Sequence, residues 1–412
     1  MHQQPVSPAS RRCASPGSGE VRPALERWGR RGTLAIVLAV ALGAAVLWAG
    51  LLVLRFEGEG RRFDFLRWEI ASVPNKWLYA LGAPLRDDSS ADEAIARYFA
   101  LDDRVGSEAA RLESAVESAI EGRIDTVLQE LSIAGRIPLP GSVFPPVDVE
   151  LALPPRVLVT SRRDHIERVG DELLRPGMTL EEATALERAV EERDLQLSAL
   201  ALRTGGVALY PAVVSASRSY ADTVGTAAHE WVHHYLAFYP LGLSYFRSQE
   251  LRTLNETVAD VVGDEVAARV LERFGDPTRQ SAPAAPPVPD VAASPGGEVP
   301  DPRDERAAAA LRALRVEVDE LLAAGRIEQA ELRMEHVRQE LAGDGIVIRR
   351  INQAYFAWFG SYAARADSVD PLGDELRALR AGLGSLAAFL DEVRGVTSRV
   401  QARELGEGVG AP

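Results

Sequence analysis

The chain has 412 residues, 46% of them hydrophobic, with 46 basic residues against 60 acidic ones and a net charge of −14. That length and apolar content suit two or three packed units, and the acidic balance excludes general nucleic-acid binding, which needs a basic face to displace counterions from phosphate. Lys76 is the only lysine and Cys13 the only cysteine, so no intramolecular disulfide can form and stability must come from packing or from a metal.

Residues 33–54, "TLAIVLAVALGAAVLWAGLLVL", carry no charge over a length that matches the hydrocarbon thickness of a bilayer, which predicts one transmembrane helix. Arg11, Arg12, Arg22, Arg27, Arg30 and Arg31 precede it, whereas the flank after it mixes arginines with acids. The positive-inside rule then makes residues 1–32 a cytoplasmic tail and puts everything after Leu54 in the periplasm or exterior, the chain being a single-pass protein of the cell membrane. A cleaved signal peptide is the competing reading, but its apolar run should be shorter and its charged preface less extended. Residues 55–88 are expected as a juxtamembrane segment whose Phe63, Phe65, Trp68, Trp77 and Tyr79 either lie along the outer membrane surface or pack in a buried helix.

From Ser89 to Gly135 acidic and apolar residues recur at helical spacing. "VDVELAL" and "RVLVTS", separated by prolines, read as strands, and Thr179 with Glu182 offers a capping box to the helix "LEEATALERAVEERD". "LSALALRTGGVALYPAVV" reads as two strands joined at Gly205 and Gly206, followed by a helix over "TAAHEWVHHYL". Residues 276–303 are too rich in Pro, Ala and Gly to build a core and are expected as a flexible insertion. Residues 304–412 return to helical periodicity, with a hairpin turning at Gly325. The expected class is α+β: a body at 89–275 with a small sheet on helices, a mainly helical C-terminal half at 304–412, and the transmembrane helix in front.

Chemistry concentrates in "HEWVHH". His229 and His233 are four residues apart on a helix, so their rings leave one face and can close on one metal ion. Glu230 stands about 100° round from His229, bordering that ion as a general base must. Catalytic zinc takes three protein ligands, so a third is required. The metzincin pattern would need Gly and His at positions 236 and 239, which are Leu236 and Tyr239. Downstream, "LNETVADVVGDEVAARV" brings Glu256 and Asp260 to one helix face.

H-E-x-x-H followed by N-E-x-x-x-D resembles the gluzincin zinc metallopeptidases, the clan of thermolysin, over His229 to Asp260. The resemblance implies a catalytic domain at 89–275 binding one zinc ion (Zn2+) through His229, His233 and Glu256, with Asp260 holding the ring of His229 in its ligating tautomer. It also implies a substrate-binding edge strand at Gly205, Gly206, Val207 and Ala208, along which a peptide adds by main-chain bonds. "INQAYFAWFGSYA" is similar to a segment of a bacterial predicted-aminopeptidase family, which assigns Tyr362 as the donor to the oxyanion; His336 and Tyr355 are the other candidates. The histidine of the thermolysin subfamily and the Gly-Met-Glu-Asn motif of the large aminopeptidases have no counterpart here.

Plainer readings accompany each residue. His234 points about 100° away from His233 and suits packing; His165 and His336 suit exposed faces; Asp264 and Glu265 suit solvation; Tyr355, Phe359 and Tyr362 form a stripe that suits a core. The expected function is a membrane-anchored zinc peptidase acting on peptides or proteins. An aminopeptidase instead of an endopeptidase, and a non-catalytic tethered binding module on the same fold, remain as alternatives.

Overall fold

The computed structural model describes residues 62–63, 89–104, 106–133, 143–279 and 302–409. It begins with helices α1 (Ser89–Phe99) and α2 (Ser107–Glu130). α2 buries Val116, Ile120, Ile124 and Val127, a single stripe at helical spacing, together with Glu117, which accepts the N–H of Leu151 at 2.7 Å. Arg123 in that helix is buried too, and donates to the hydroxyl of Tyr220 at 2.8 Å.

Six strands follow: β1 (Val149–Ala152), β2 (Arg156–Arg162), β3 (Arg168–Leu174), β4 (Leu197–Arg203), β5 (Gly206–Val207) and β6 (Ala212–Ser215), with α3 (Leu180–Arg193) between β3 and β4. They form two sheets, one in the order β3-β2-β4 and one in the order β1-β6-β5. In the first all pairs are antiparallel, with Val157 opposite both Leu173 and Leu202. In the second β1 runs parallel to β6, with Val149 opposite Ala212, and β5 runs antiparallel to it, with Gly206 opposite Val214.

β2 and β4 read as unbroken apolar runs because both faces of their sheet are covered. Val157, Val159, Leu200 and Leu202 face one core, and Leu158, Ala199 and Ala201 face another with Ala183 of α3. The expected capping box starts α3: Thr179 Oγ1 accepts the N–H of Glu182 at 3.2 Å, and Glu182 accepts the N–H of Thr179 at 2.8 Å. Residues 197–214, expected as two strands joined at Gly205 and Gly206, instead contribute to three, β4, β5 and β6. Thr204 donates to the carbonyl of Pro155 at 2.8 Å, and the carbonyl of Gly205 accepts from Ser215 at 2.9 Å, so the chain leaves one sheet and enters the other at that point.

β3 was hidden in the sequence because "RVGDELL" is half exposed and charged, as an edge strand can be. Its outer side takes Arg62 in a bridge to Leu174, and the N–H of Phe63 donates to Leu173 at 3.0 Å. These two residues of the expected juxtamembrane segment therefore pair in extended form; the rest of it lies outside the described residues.

Helices α4 (Tyr220–Leu236), α5 (Pro240–Leu243) and α6 (Gln249–Phe274) come next. After the 280–301 stretch, which lies outside the described residues, α7 (Pro302–Ala323) and α8 (Ile327–Gly343) form the expected hairpin, with Gly325 at φ +71°. α9 (Gln353–Phe359), α10 (Leu372–Gly382), α11 (Leu386–Val393) and α12 (Arg399–Val409) complete the chain. α7, α8 and α9 pack on one face of β2 and β4, while α10, α11 and α12 share the core of α2, α4 and α6.

The expected fold needs one correction. Its α+β body is present, but among the described residues no helix is long and apolar enough to cross a membrane, because the long helices α2, α6 and α7 are charged along their length. The segment 33–54 assigned as transmembrane, and the tail at 1–32, lie outside the described residues.

The C-terminal half is tied to the sheet by Glu187, whose side chain is 1% exposed: it accepts from Arg349 Nη1 at 3.0 Å and from the N–H of Ala201 at 2.6 Å. Replacing Glu187 with Ala leaves a partly buried guanidinium and a buried N–H without that acceptor, so urea unfolding should register a loss of about 3 kcal/mol.

Candidate metal centre

α4 is capped by Ser219, whose hydroxyl accepts the N–H of Asp222 at 3.1 Å, and ends at Leu236, before Pro240 opens α5. Trp231 anchors it, buried and donating from Nε1 to the carbonyl of Pro145 at 2.9 Å. Against it lies α6, and the two backbones come close because α6 has no side chain at the crossing. A methyl group on Gly263 would stand 3.0 Å from both the N and the Cα of His229, so any larger residue must push the helices apart. One turn along, Gly225 faces Ala267. This approach carries Glu256 and Asp260, seven and three residues before Gly263, to the rings of α4.

His229 Nε2 and His233 Nε2 are 3.0 Å apart, and each is 3.4 Å from Glu256 Oε2. The outer nitrogens decide the tautomers. His229 Nδ1 donates to Asp260 Oδ1 at 3.0 Å, and His233 Nδ1 donates to Asn255 Oδ1 at 2.8 Å. Both neutral rings then turn a lone pair inward, where the carboxylate of Glu256 adds a third acceptor. Three acceptors facing one point form a group that could hold a metal ion. Zinc bonds of about 2.0–2.1 Å at tetrahedral angles separate neighbouring donor atoms by about 3.3 Å, so the observed triangle fits zinc. This donor set, two imidazoles and one carboxylate, is also one that zinc accepts.

The electrostatics agree. Burial opposes a proton on His229, but its hydrogen bonds to Asp260 and Glu256 outweigh that and raise its pKa well above the usual value. Burial likewise opposes a proton on His233, and Glu256 again raises it. Glu256, despite burial, is held well below the usual carboxylate range by the two rings. The pocket thus prefers positive charge at its centre.

Glu230 is 7% exposed, and burial raises its pKa despite both histidines. β5 passes directly over it: a methyl group on Gly206 would lie 2.6 Å from Glu230 Oε1 and 2.7 Å from Thr226 Cγ2. Gly206 and Val207 form β5 at the edge of its sheet, with Gly205 and Ala208 on either side. Tyr362 follows α9, its ring centroid 6.4 Å from that of His229, and burial keeps its hydroxyl protonated.

Sequence reasoning missed three contributors. Tyr245, in the loop after α5, donates to Glu256 Oε1, and its ring stands 6.1 Å from that of His233. Asn255 lies inside the quoted motif without having been assigned a role. Gly263 sets the helix crossing. None has a periodic signature; only the neighbouring Asn-Glu pair offered a signal, for Asn255. Of the other candidates, His234 turns away, donates to the carbonyl of Leu209 and is pushed down to about 4 by burial. His165 and His336 are exposed beside acids, Glu265 pairs with Arg380 at 2.8 Å, and Tyr355 is buried in the core of β2 and β4. A cleft of about 510 Å³, lined by Arg315, Phe356, Phe359, Asp370 and Arg399 among others, opens elsewhere and includes none of the zinc-ligand candidates.

Two outcomes follow from this geometry. Asn255→Ala frees the His233 ring to turn, so zinc affinity measured by chelator competition should fall about 10–100-fold. Asp264, which burial and then Asp260 raise to about 7, has a folded pKa above its unfolded value of 3.8. Its protonated form is favoured on folding, so metal-free protein should lose stability as pH rises through about 4 to 7. Asp264→Asn should flatten that decline in thermal unfolding curves.

Comparison of the chain with protein-family models, with curated proteins and with solved structures finds no match.

Proposed function

We propose that this chain is a zinc-dependent peptidase acting on peptides or proteins. The observation that carries the reading is the triangle of His229 Nε2, His233 Nε2 and Glu256 Oε2, with sides of 3.0, 3.4 and 3.4 Å, beside the buried carboxylate of Glu230.

Zinc held there supplies Lewis acidity toward a water and toward the scissile carbonyl. Glu230 takes the proton of the attacking water on its carboxylate and passes it to the leaving amine. Its raised pKa suits this task, since a carboxyl in a dry pocket keeps a proton long enough to hand it on. Tyr362, protonated and beside His229, donates its O–H to the carbonyl oxygen as charge develops there. Gly205, Gly206, Val207 and Ala208 offer main-chain groups at a sheet edge, where an extended peptide can pair. Gly206 has no side chain to come between that peptide and Glu230.

Glu230→Gln should retain one zinc per chain by atomic absorption and hydrolyse a quenched fluorescent peptide about 10²–10⁴ times more slowly. A variant as active as wild type, or a wild-type chain that binds no zinc, ends the proposal.

A further inference from the structure

Two arginines stand behind the aromatic walls of the candidate centre. Arg168, on the edge strand β3, has a side chain that is 4% exposed; Arg252, on α6, has one that is 13% exposed. Both turn to a single carboxylate, Asp171, at 3.1 Å from Arg168 Nη2 and 3.9 Å from Arg252 Nη1. Within this trio one positive charge is therefore left over, on guanidinium side chains largely shielded from water. Each guanidinium also keeps a buried Nε with no hydrogen-bond partner. A buried donor on a charged group calls for a partner, which a ligand or an ordered water supplies.

Their position connects them to the chemistry. Arg168 Cζ lies 4.4 Å from the ring of Trp358, that ring 5.9 Å from Tyr362, and Tyr362 6.4 Å from His229. On the other side Arg252 Cζ lies 5.5 Å from the ring of Tyr245, which hydrogen-bonds Glu256. Arg168, Asp171, Arg252, Tyr245, Glu256, His229, Tyr362 and Trp358 thus form a closed circuit. The charge is felt within it, since Arg168 opposes the rise that burial imposes on both Tyr245 and Tyr362. A guanidinium fork matches a carboxylate, and a surplus of one charge matches its single negative charge better than it matches a phosphate.

We propose that Arg168, supported by Arg252, is a specificity-determining residue that selects peptides carrying a carboxylate beside the bond to be cleaved. This rests on the peptidase reading above. The carboxylate comes either from a free C-terminus or from an acidic side chain.

Binding separates this from catalysis. The full zinc-loaded chain carrying Glu230→Gln is titrated by calorimetry at low salt with two pairs of N-acetylated peptides. One pair differs as C-terminal acid against amide; the other is amidated and differs as Glu against Gln at a central position. In one pair the carboxylate member should bind at least about tenfold tighter, and adding Arg168→Gln should reduce that preference to about twofold or less. Arg168→Lys, which keeps the charge, should retain part of it, and Arg252→Gln weakens it without touching the stacked Arg168. Equal binding within both pairs, no binding at all, or a preference that survives Arg168→Gln overturns the proposal. Failure of the peptidase reading appears separately, as wild-type protein that leaves the same peptides intact while the binding preference persists.

Discussion

Everything at the candidate centre depends on how closely α4 and α6 approach. His229 can share a cation with Glu256 because Gly263 lets the backbone of α6 come within van der Waals contact of His229 itself. Adding a side chain at that crossing would move Glu256, Asn255 and Asp260 together, since all three are on the same rigid helix as Gly263. The bond lengths of zinc tolerate only tenths of an ångström. A small residue at one position is thus what brings the two helices' candidate ligands together.

The rest of the fold holds that crossing in place. α2 and the helices α10 to α12 close the core around α4 and α6, and the β1-β6-β5 sheet brings its edge strand over Glu230. The second sheet acts from further away. Its edge strand β3 carries Arg168 toward the aromatic wall, and its faces anchor α9, after which Tyr362 follows. Asn352 links the two: its Nδ2 donates to the carbonyl of Ala199 on β4 at 3.0 Å, while its Oδ1 accepts the N–H of Tyr355 at the start of α9.

Within this frame the buried charges have divided roles. Asp260 and Asn255 each take one ring N–H, so that the ring nitrogens opposite them face inward as acceptors. Tyr245 occupies one oxygen of Glu256 and leaves the other to the centre. Burial is the largest influence on the Glu230 pKa and raises it, against the pull of both histidines. Two buried acids of the candidate centre are thereby held differently, Glu256 with its pKa lowered by the rings and Glu230 with its pKa raised by burial.

Local features were legible along the chain. Four-residue spacing sends His229 and His233 from one helix face, the same spacing pairs Glu256 with Asp260, and a strand-forming run marks β2 and β4, because each is a property of a few neighbouring residues. The sequence also separated His234 from the other two histidines. Folding alone sets Gly263 against His229, brings Tyr245 to Glu256, divides residues 197–214 between two sheets and makes β3 a charged edge strand. Those facts join residues that are 11 to 34 positions apart or more, or depend on which side of a sheet is left open, and no periodicity along the chain encodes them.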